Sequence, residues 1–496
     1  MSNFLTNNEI RVIKAMLKLD PKLTKQAIHS YFSRPGRDIN QARITDIENG
    51  RLGKDLPPAT PKEALAYMHR YSNACRLTNT FPPPTAMQNS KVGLAQLSLC
   101  LNCWPVGQGL FLSGLISSSK GGSFSWVYDC GSISKPTSKG PVLPRALKDF
   151  RNQHNGNCID MVTLSHFDED HVNGITDLIK GTKIKALVLP YVDLLQRLFI
   201  AFDEQIATDD PLFEFFVNPT AYLSERADID QIVFVPPVGP DDIAPETPEV
   251  PGPEGPIDGA RFEVRDPIEG DVDDPTLIDQ KSSYVRQLRK GGKIVIPSYW
   301  EFLPYNDASR FPDVSNHFRT SVVQVVNSIL ANPKNCSAEL KHLKDIYDRN
   351  FGNSGRRRNI ISLFLYSGSI SKNLRIQRHI STHQVRWNGA YTNFGQLFTG
   401  DGYLKTQTQL AALTRYLSAD RRLERAGVVQ VMHHGALGNW HPGVAKALSP
   451  AVSIFSSDPN RAPTYHPNSE VLRDFWPYCP VQVDKDTGFH LHLDLA

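Results

Sequence analysis

The sequence predicts an α/β fold preceded by an all-α unit, with helical insertions in its later part. Three observations carry this. Short apolar runs bounded by turn residues recur from residue 95 onward, as buried strands do. Helix-spaced apolar positions lie between several of these runs. The first 78 residues carry helical spacing alone. A chain of 496 residues is long enough for two or three compact units with ample core.

In the N-terminal unit, Ile10, Ile13, Met16 and Leu17 fall on one helical face and Pro21 stops the helix. Thr24 caps a second helix running to Phe32, and Ser33 to Arg37 break it. Asn40 caps a third helix through Glu48, which Asn49-Gly50 ends. A fourth follows Pro61, with Ala64, Leu65, Tyr67 and Met68 apolar. The second helix, the turn and the third helix resemble a helix-turn-helix unit. That resemblance implies that Lys25, Arg34, Arg37 and Arg43 meet DNA phosphates or base edges, across a turn longer than such units usually have. A dimerisation or protein-docking role for the same helices is the other reading. Residues 79–92 contain Phe81-Pro82-Pro83-Pro84 and predict a semi-rigid linker.

The chemistry concentrates in Met161-Val-Thr-Leu-Ser-His166-Phe-Asp168-Glu-Asp170-His171. Ile159 to Leu164 reads as a strand covered on both faces, because it is short, mostly apolar and bounded by polar residues. Four metal-ligand side chains follow it. A tight turn from strand to helix would aim His166 and Asp168 at one point and Asp170 and His171 at a neighbouring one. Imidazole and carboxylate together suit zinc or manganese. The alternative is a polar turn whose Asp residues cap a helix.

This segment resembles the H-x-H-x-D-H signature of the metallo-β-lactamase fold, with Asp168 where many members have histidine. The variant is similar to the nuclease domain of ComEC-type DNA-uptake proteins. Other stretches resemble the same family in the same order. They are Val106-Gly107-Gln108-Gly109, with Leu110 in place of the usual Asp, then Trp126-Val-Tyr-Asp129-Cys-Gly131, and Asn359-Ile-Ile-Ser362. Thr399-Gly400-Asp401, His433-His434-Gly435 and Tyr465-His466-Pro467 follow.

The resemblance implies a four-layer αβ/βα sandwich over residues 93–496 holding two divalent ions, zinc or manganese. His166, Asp168 and one of His433 and His434 would serve one ion. Asp170 and His171 would serve the other, with Asp401 between, and Asp170 and His466 would act in catalysis. Relatives add a further histidine before the Gly-Asp element. Here His317, His342, His379 and His383 lie in range, without the family's context.

Residues 192–355 read as an insertion. Pro236 to Asp258 is acidic and proline-rich, which predicts a flexible loop. Tyr284 to Lys290, Phe318 to Leu330 and Ala338 to Asn350 predict helices. Arg356, Arg357 and Arg358 precede the strand Asn359 to Leu365. With Asn359, Ser362, Lys372, Arg375, Arg378, Arg386, Arg421 and Arg422 they suggest a basic, substrate-binding rim, or a plain solvated one.

A formal net charge of +3 does not by itself announce nucleic acid, so basic surface must be local. The seven cysteines form no spacing framework, and Cys100 and Cys103 of the C-x-x-C would point to opposite faces of a strand. With no leader and no long apolar run, a cytoplasmic protein without membrane contact is expected. The expected function is metal-dependent phosphodiester hydrolysis, most simply of DNA or other nucleic acid, in a role such as bacterial defence. The rivals are a DNA-binding regulator or docking protein without nuclease activity, and a small-molecule ester or cyclic-nucleotide hydrolase.

Overall fold

A computed structural model describes residues 5–18, 25–32, 39, 42–72, 96–154, 158–192, 194–203, 206, 210–248, 250, 255–265, 284–307, 315–331, 337–351, 362–383, 385, 387, 389–461 and 465–496. The four N-terminal helices span Asn7–Met16, Lys25–Ser30, Ala42–Glu48 and Pro61–Ser72. Thr6 and Glu9 close a capping box on the first, satisfying donors that helix geometry leaves over. Ile10, Ile13, Met16, Ile28, Phe32, Ile44 and Ile47 then build an apolar cluster of their own. Arg34, Arg37 and the expected linker 79–92 lie outside the described residues.

Among the described residues beyond, eighteen strands follow: β1 Leu97–Cys103, β2 Phe111–Ser118, β3 Ser123–Cys130, β4 Cys158–Thr163, β5 Lys183–Pro190, β6 Gln231–Val235, β7 Arg261–Phe262, β8 Val264–Arg265, β9 Tyr284–Leu288, β10 Ile294–Ile296, β11 Trp300–Asn306, β12 Leu363–Ser369, β13 Ile376–Ser381, β14 Gly395–Phe398, β15 Ala426–Gln430, β16 Val452–Ser456, β17 Pro480–Val483 and β18 Phe489–Leu495. They form two mixed sheets. One runs β13-β18-β1-β2-β3-β4-β5-β6-β9-β8, the other β17-β16-β15-β14-β12-β11-β10-β7.

Side-chain alternation sorts these strands into layers. Val127, Val162, Leu187 and Ile232 of the larger sheet face helices that include Val142–Gln153 and Leu194–Asp203. On its other face Trp126, Tyr128, Met161 and Val188 meet Trp300, Phe302, Leu365, Phe398 and Ile454 of the smaller sheet. Phe364, Tyr366, Leu397, Val429 and Phe455 then cover helices Gln407–Tyr416, Val444–Leu448 and Ser469–Phe475. The order is helix, sheet, sheet, helix. No helix among the described residues is long and apolar enough to cross a membrane.

Three expectations change. Tyr284–Leu288 is a strand and not a helix, because its residues pair in parallel with Gln231 to Phe234. The strand expected at Asn359 to Leu365 begins at Leu363 and runs to Ser369. The acidic loop, expected to be flexible, is tied down over its described residues. Val238 N–H donates to Asn306 O at 2.9 Å, Ala244 N–H to Tyr416 O at 3.1 Å, and Ile257 N–H to Gly121 O at 2.9 Å.

Arg422, expected on a basic rim, anchors this loop from inside and is fully buried. It donates to Glu301 at 2.8 Å, to Asp420 at 3.0 Å and to the Pro245 carbonyl at 2.8 Å. Arg421 pairs with Glu424 on the surface.

Candidate metal centre

The parallel strands β3, β4 and β5 of one sheet and β14, β15 and β16 of the other set the centre at their carboxyl ends. At that edge of an open sheet the chain leaves the ladder and can converge on a ligand. Leu164 still donates to Val188 O at 3.0 Å, after which the chain turns through His166 into the short helix Glu169–Val172. Leu363 N–H donates to Ser165 O at 2.7 Å, and Tyr128 Oη to Leu363 O at 2.6 Å, which joins the two sheets here.

Asp401 stands in the middle, with one oxygen toward each of two donor groups. Its Oδ2 lies 3.8 Å from His166 Nε2 and 3.5 Å from His433 Nε2, and Asp168 Oδ2 lies 3.6 Å from the same His166 nitrogen. Its Oδ1 lies 3.1 Å from His171 Nε2 and 3.7 Å from His434 Nε2. Asp170 closes that second group, 3.2 Å from His434 and 4.0 Å from His171. His166, Asp168, Asp170, His171 and Asp401 are thus brought together, and both His433 and His434 join them where the resemblance implied one of the two. The two histidines of the pair divide between the groups, so His434 occupies the Asp170 side and His433 the Asp168 side.

The imidazoles are oriented from behind. His171 Nδ1 donates to Asp129 Oδ2 at 2.8 Å, and His434 Nδ1 to the Ser456 carbonyl at 2.6 Å. Ser165 Oγ donates to Asp129 Oδ2 at 2.6 Å, which leaves the Ser165 hydroxyl oxygen to accept from His166 Nδ1 at 2.7 Å. These three rings therefore each have a proton on Nδ1 and turn Nε2 into the centre, the arrangement that supporting partners impose on metal-binding histidines. The Nε2 atoms of His166 and His171 are buried and make no hydrogen bond. Buried nitrogens aimed at carboxylates from several segments fit divalent cations of the zinc or manganese kind. Asp129-His166-His171, Asp170-His171-His434 and His166-Asp168-Asp401 each bring three ligand atoms within 4.8 Å of one another.

The loops are built to hold this geometry. Gln430 Oε1 accepts from the N–H groups of Thr399 and Gly400, both at 2.8 Å, and Asn439 Nδ2 donates to Asp401 O at 2.8 Å. His433 and His434 have φ of 44° and 56°, left-handed values that cost a non-glycine residue about 1–3 kcal/mol and recur at functional sites.

Charge is divided unevenly. Burial, helped by the His171 charge, drives His166 down to about 3. Burial also lowers His433. Burial would lower His171 and His434 as well, but Asp401 overcomes it, with Asp129 helping at His171 and Asp170 at His434, so both are raised. Burial opposes the charges of Asp170 and Asp401, yet the surrounding histidines hold both below the usual carboxylate range. The two raised imidazoles thus sit beside the two lowered carboxylates.

The other expected site residues fare differently. The His466 ring lies 5.9 Å from His433 and 6.4 Å from His434. Burial and those two neighbours pull it down to about 4, so it is uncharged near neutral pH, which does not suit it as a general acid there. Ser362, expected at substrate, is buried, with Oγ donating to Thr399 O at 3.2 Å and accepting from Asp401 N–H at 3.0 Å. It positions the central carboxylate. Lys25 pairs with Glu48 at 2.6 Å and Arg43 with Asp46 at 3.7 Å. Arg356, Arg357, Arg358 and Asn359 lie outside the described residues, as does Arg386. His379 packs on Trp387 and His383 on Phe489, so neither supplies the extra histidine.

Asp129 and Gln430 were not expected to matter individually. Asp129 stands near the end of a strand adjacent to the one leading into His166, and its place in the Trp126 to Gly131 stretch is the sequence signal for its role. No family model matches the chain, and no curated protein matches it either.

Proposed function

We propose that the protein is a metal-dependent phosphodiester hydrolase of metallo-β-lactamase type, acting on nucleic acid. One observation carries this reading: Asp401 presents Oδ2 to His166 and His433 and Oδ1 to His171 and His434, with Asp168 beside His166 and Asp170 beside His434. His166, Asp168 and His433 would hold one cation and Asp170, His171 and His434 the other, with Asp401 available to either. When bound, such cations would supply an acidified water and neutralise charge on a phosphodiester.

The chain's own residues do the rest. Asp129, Ser165 and Ser456 keep the imidazole nitrogens aimed inward, and Gln430, Ser362 and Asn439 keep Asp401 central. Uncharged His466 beside His433 and His434 can hold a phosphoryl oxygen or a water by hydrogen bonding. Nucleic acid is favoured over a small ester by the ComEC-like motifs and by the arginine run Arg356-Arg357-Arg358.

The test is cleavage of single- and double-stranded DNA and RNA with manganese, zinc or magnesium, in wild type, Asp170→Ala and Asp401→Asn. Metal-dependent cutting abolished in both variants is expected. A wild type that binds metal and cuts no nucleic acid would refute the nuclease reading.

A further inference from the structure

The outer face of the larger sheet, near its β13 edge, carries a second chemical group remote in sequence from the first. Cys100 of β1 lies directly opposite His492 of β18 in the antiparallel register. Directly opposed residues project from the same face. The Cys100 Sγ to His492 Nδ1 distance is 3.1 Å, and His492 Nε2 lies 2.9 Å from Asp494 Oδ1, two residues along the same strand. A carboxylate only accepts, so Nε2 carries the hydrogen and Nδ1 is left as the acceptor. The thiol therefore donates to Nδ1. That is the wiring of a nucleophile, a base and an orienting acid.

The group is reachable. The side chains of His492 and Asp494 are 28% and 41% exposed, and Cys100 is half-buried. The same row continues outward to Leu115, opposite Cys100, and to Ile380, opposite His492. Both are among the exposed large apolar side chains, so they flank the Cys-His pair with apolar surface. Cys103, three residues on, faces the core as the alternation of β1 requires, and takes no part.

We propose that Cys100, His492 and Asp494 form a base-primed thiol site that exchanges with small disulfides. Cys100 Sγ attacks one sulfur of the disulfide while its proton passes to His492 Nδ1. The S–S bond breaks, one half remains on Cys100 as a mixed disulfide, and the other leaves as a thiolate that takes the proton from His492. Cys100 is oxidised and the departing half is reduced, so electrons and protons balance. Burial raises the Cys100 thiol, which keeps it protonated at rest and makes transfer to the imidazole part of the reaction. The attacking species is the thiolate.

The whole chain would be treated with oxidised glutathione, and the rate of mixed-disulfide formation at each cysteine followed by peptide mass spectrometry. Cys158, also only partly buried, is the internal reference, and Cys103 and Cys130, both buried, report unfolding. At neutral pH Cys100 is expected to react at least about tenfold faster than Cys158. His492→Gln keeps a hydrogen-bonding side chain but takes no proton, and should slow Cys100 about 100-fold, the lower end for a lost general base. Asp494→Asn should slow it less. If Cys100 reacts no faster than Cys158, or His492→Gln leaves its rate unchanged while Cys103 and Cys130 stay protected, the proposal is overturned. A variant that exposes Cys103 or Cys130 is judged instead by Asp494→Asn, whose unchanged rate would also overturn it.

Discussion

Asp129 and His171, forty-two positions apart, share a buried 2.8 Å hydrogen bond behind the candidate metal centre. The same carboxylate takes Ser165 N–H and Ser165 Oγ, each at 2.6 Å, so one side chain orients both halves of the first ligand motif. Removing it in Asp129→Ala should lower divalent-metal affinity about 10–100-fold, the usual cost of losing such a support. Titration calorimetry with zinc or manganese measures this. Unchanged affinity would mean that the carboxylate only packs.

Metal affinity should rise with pH. His171 and His434 are raised and so keep their protons to higher pH than a free imidazole does, while Asp170 and Asp401 are lowered and stay ionised into acid. A cation must displace the two imidazole protons, so affinity is weak at low pH. It climbs by about tenfold per pH unit for each proton displaced, until the free protein loses them unaided. Calorimetry in buffers of different ionisation heat counts the released protons. No release would contradict the protonation described for His171 and His434.

Gly131 lies against the segment that carries Asp170 and His171. A Cβ there would stand 2.4 Å from the Asp170 carbonyl carbon and from His171 N. Backbone cannot yield as a flexible side-chain tip does. Gly131→Ala should therefore shift the short helix and abolish or severely weaken metal binding. A far-ultraviolet spectrum close to wild type would show that the loss is local. Full retention of metal affinity would contradict the close approach.

Arg422→Ala should destabilise the fold by about 2–3 kcal/mol, because it removes the guanidinium bonds to the buried Glu301 carboxylate. That leaves the carboxylate Thr247 Oγ1 and Lys293 Nζ, the latter at 4.0 Å, and takes one of two donors from the Pro245 carbonyl. Denaturant unfolding reads this directly. A loss below about 1 kcal/mol would mean that the pair behaves as a surface bridge does.

Much of the centre could be read in the chain, because metal ligands must be particular side chains and a strand-to-helix turn packs several into a few positions. His166, Asp168, Asp170 and His171 are of this kind, and Asp401 and the His433-His434 pair follow apolar runs that end as strands. Less could be read where two states share one composition. Tyr284 to Leu288 has apolar residues that suit a helix, and only its place beside β6 makes it a strand. Arg422 looked solvated because its partner Glu301, 121 positions away, meets it only through the fold.

By itself the sequence determined which side chains are able to bind a cation and which segments end at a strand's edge, since these follow from residue chemistry and local periodicity. Tertiary structure alone decided how the ligands divide. His433 and His434 are neighbours with the same side chain. Two left-handed residues and the Ser456 carbonyl turn one toward Asp401 Oδ2 and the other toward Oδ1. That choice depends on a hydrogen bond from a strand twenty-two residues away, which no local pattern encodes.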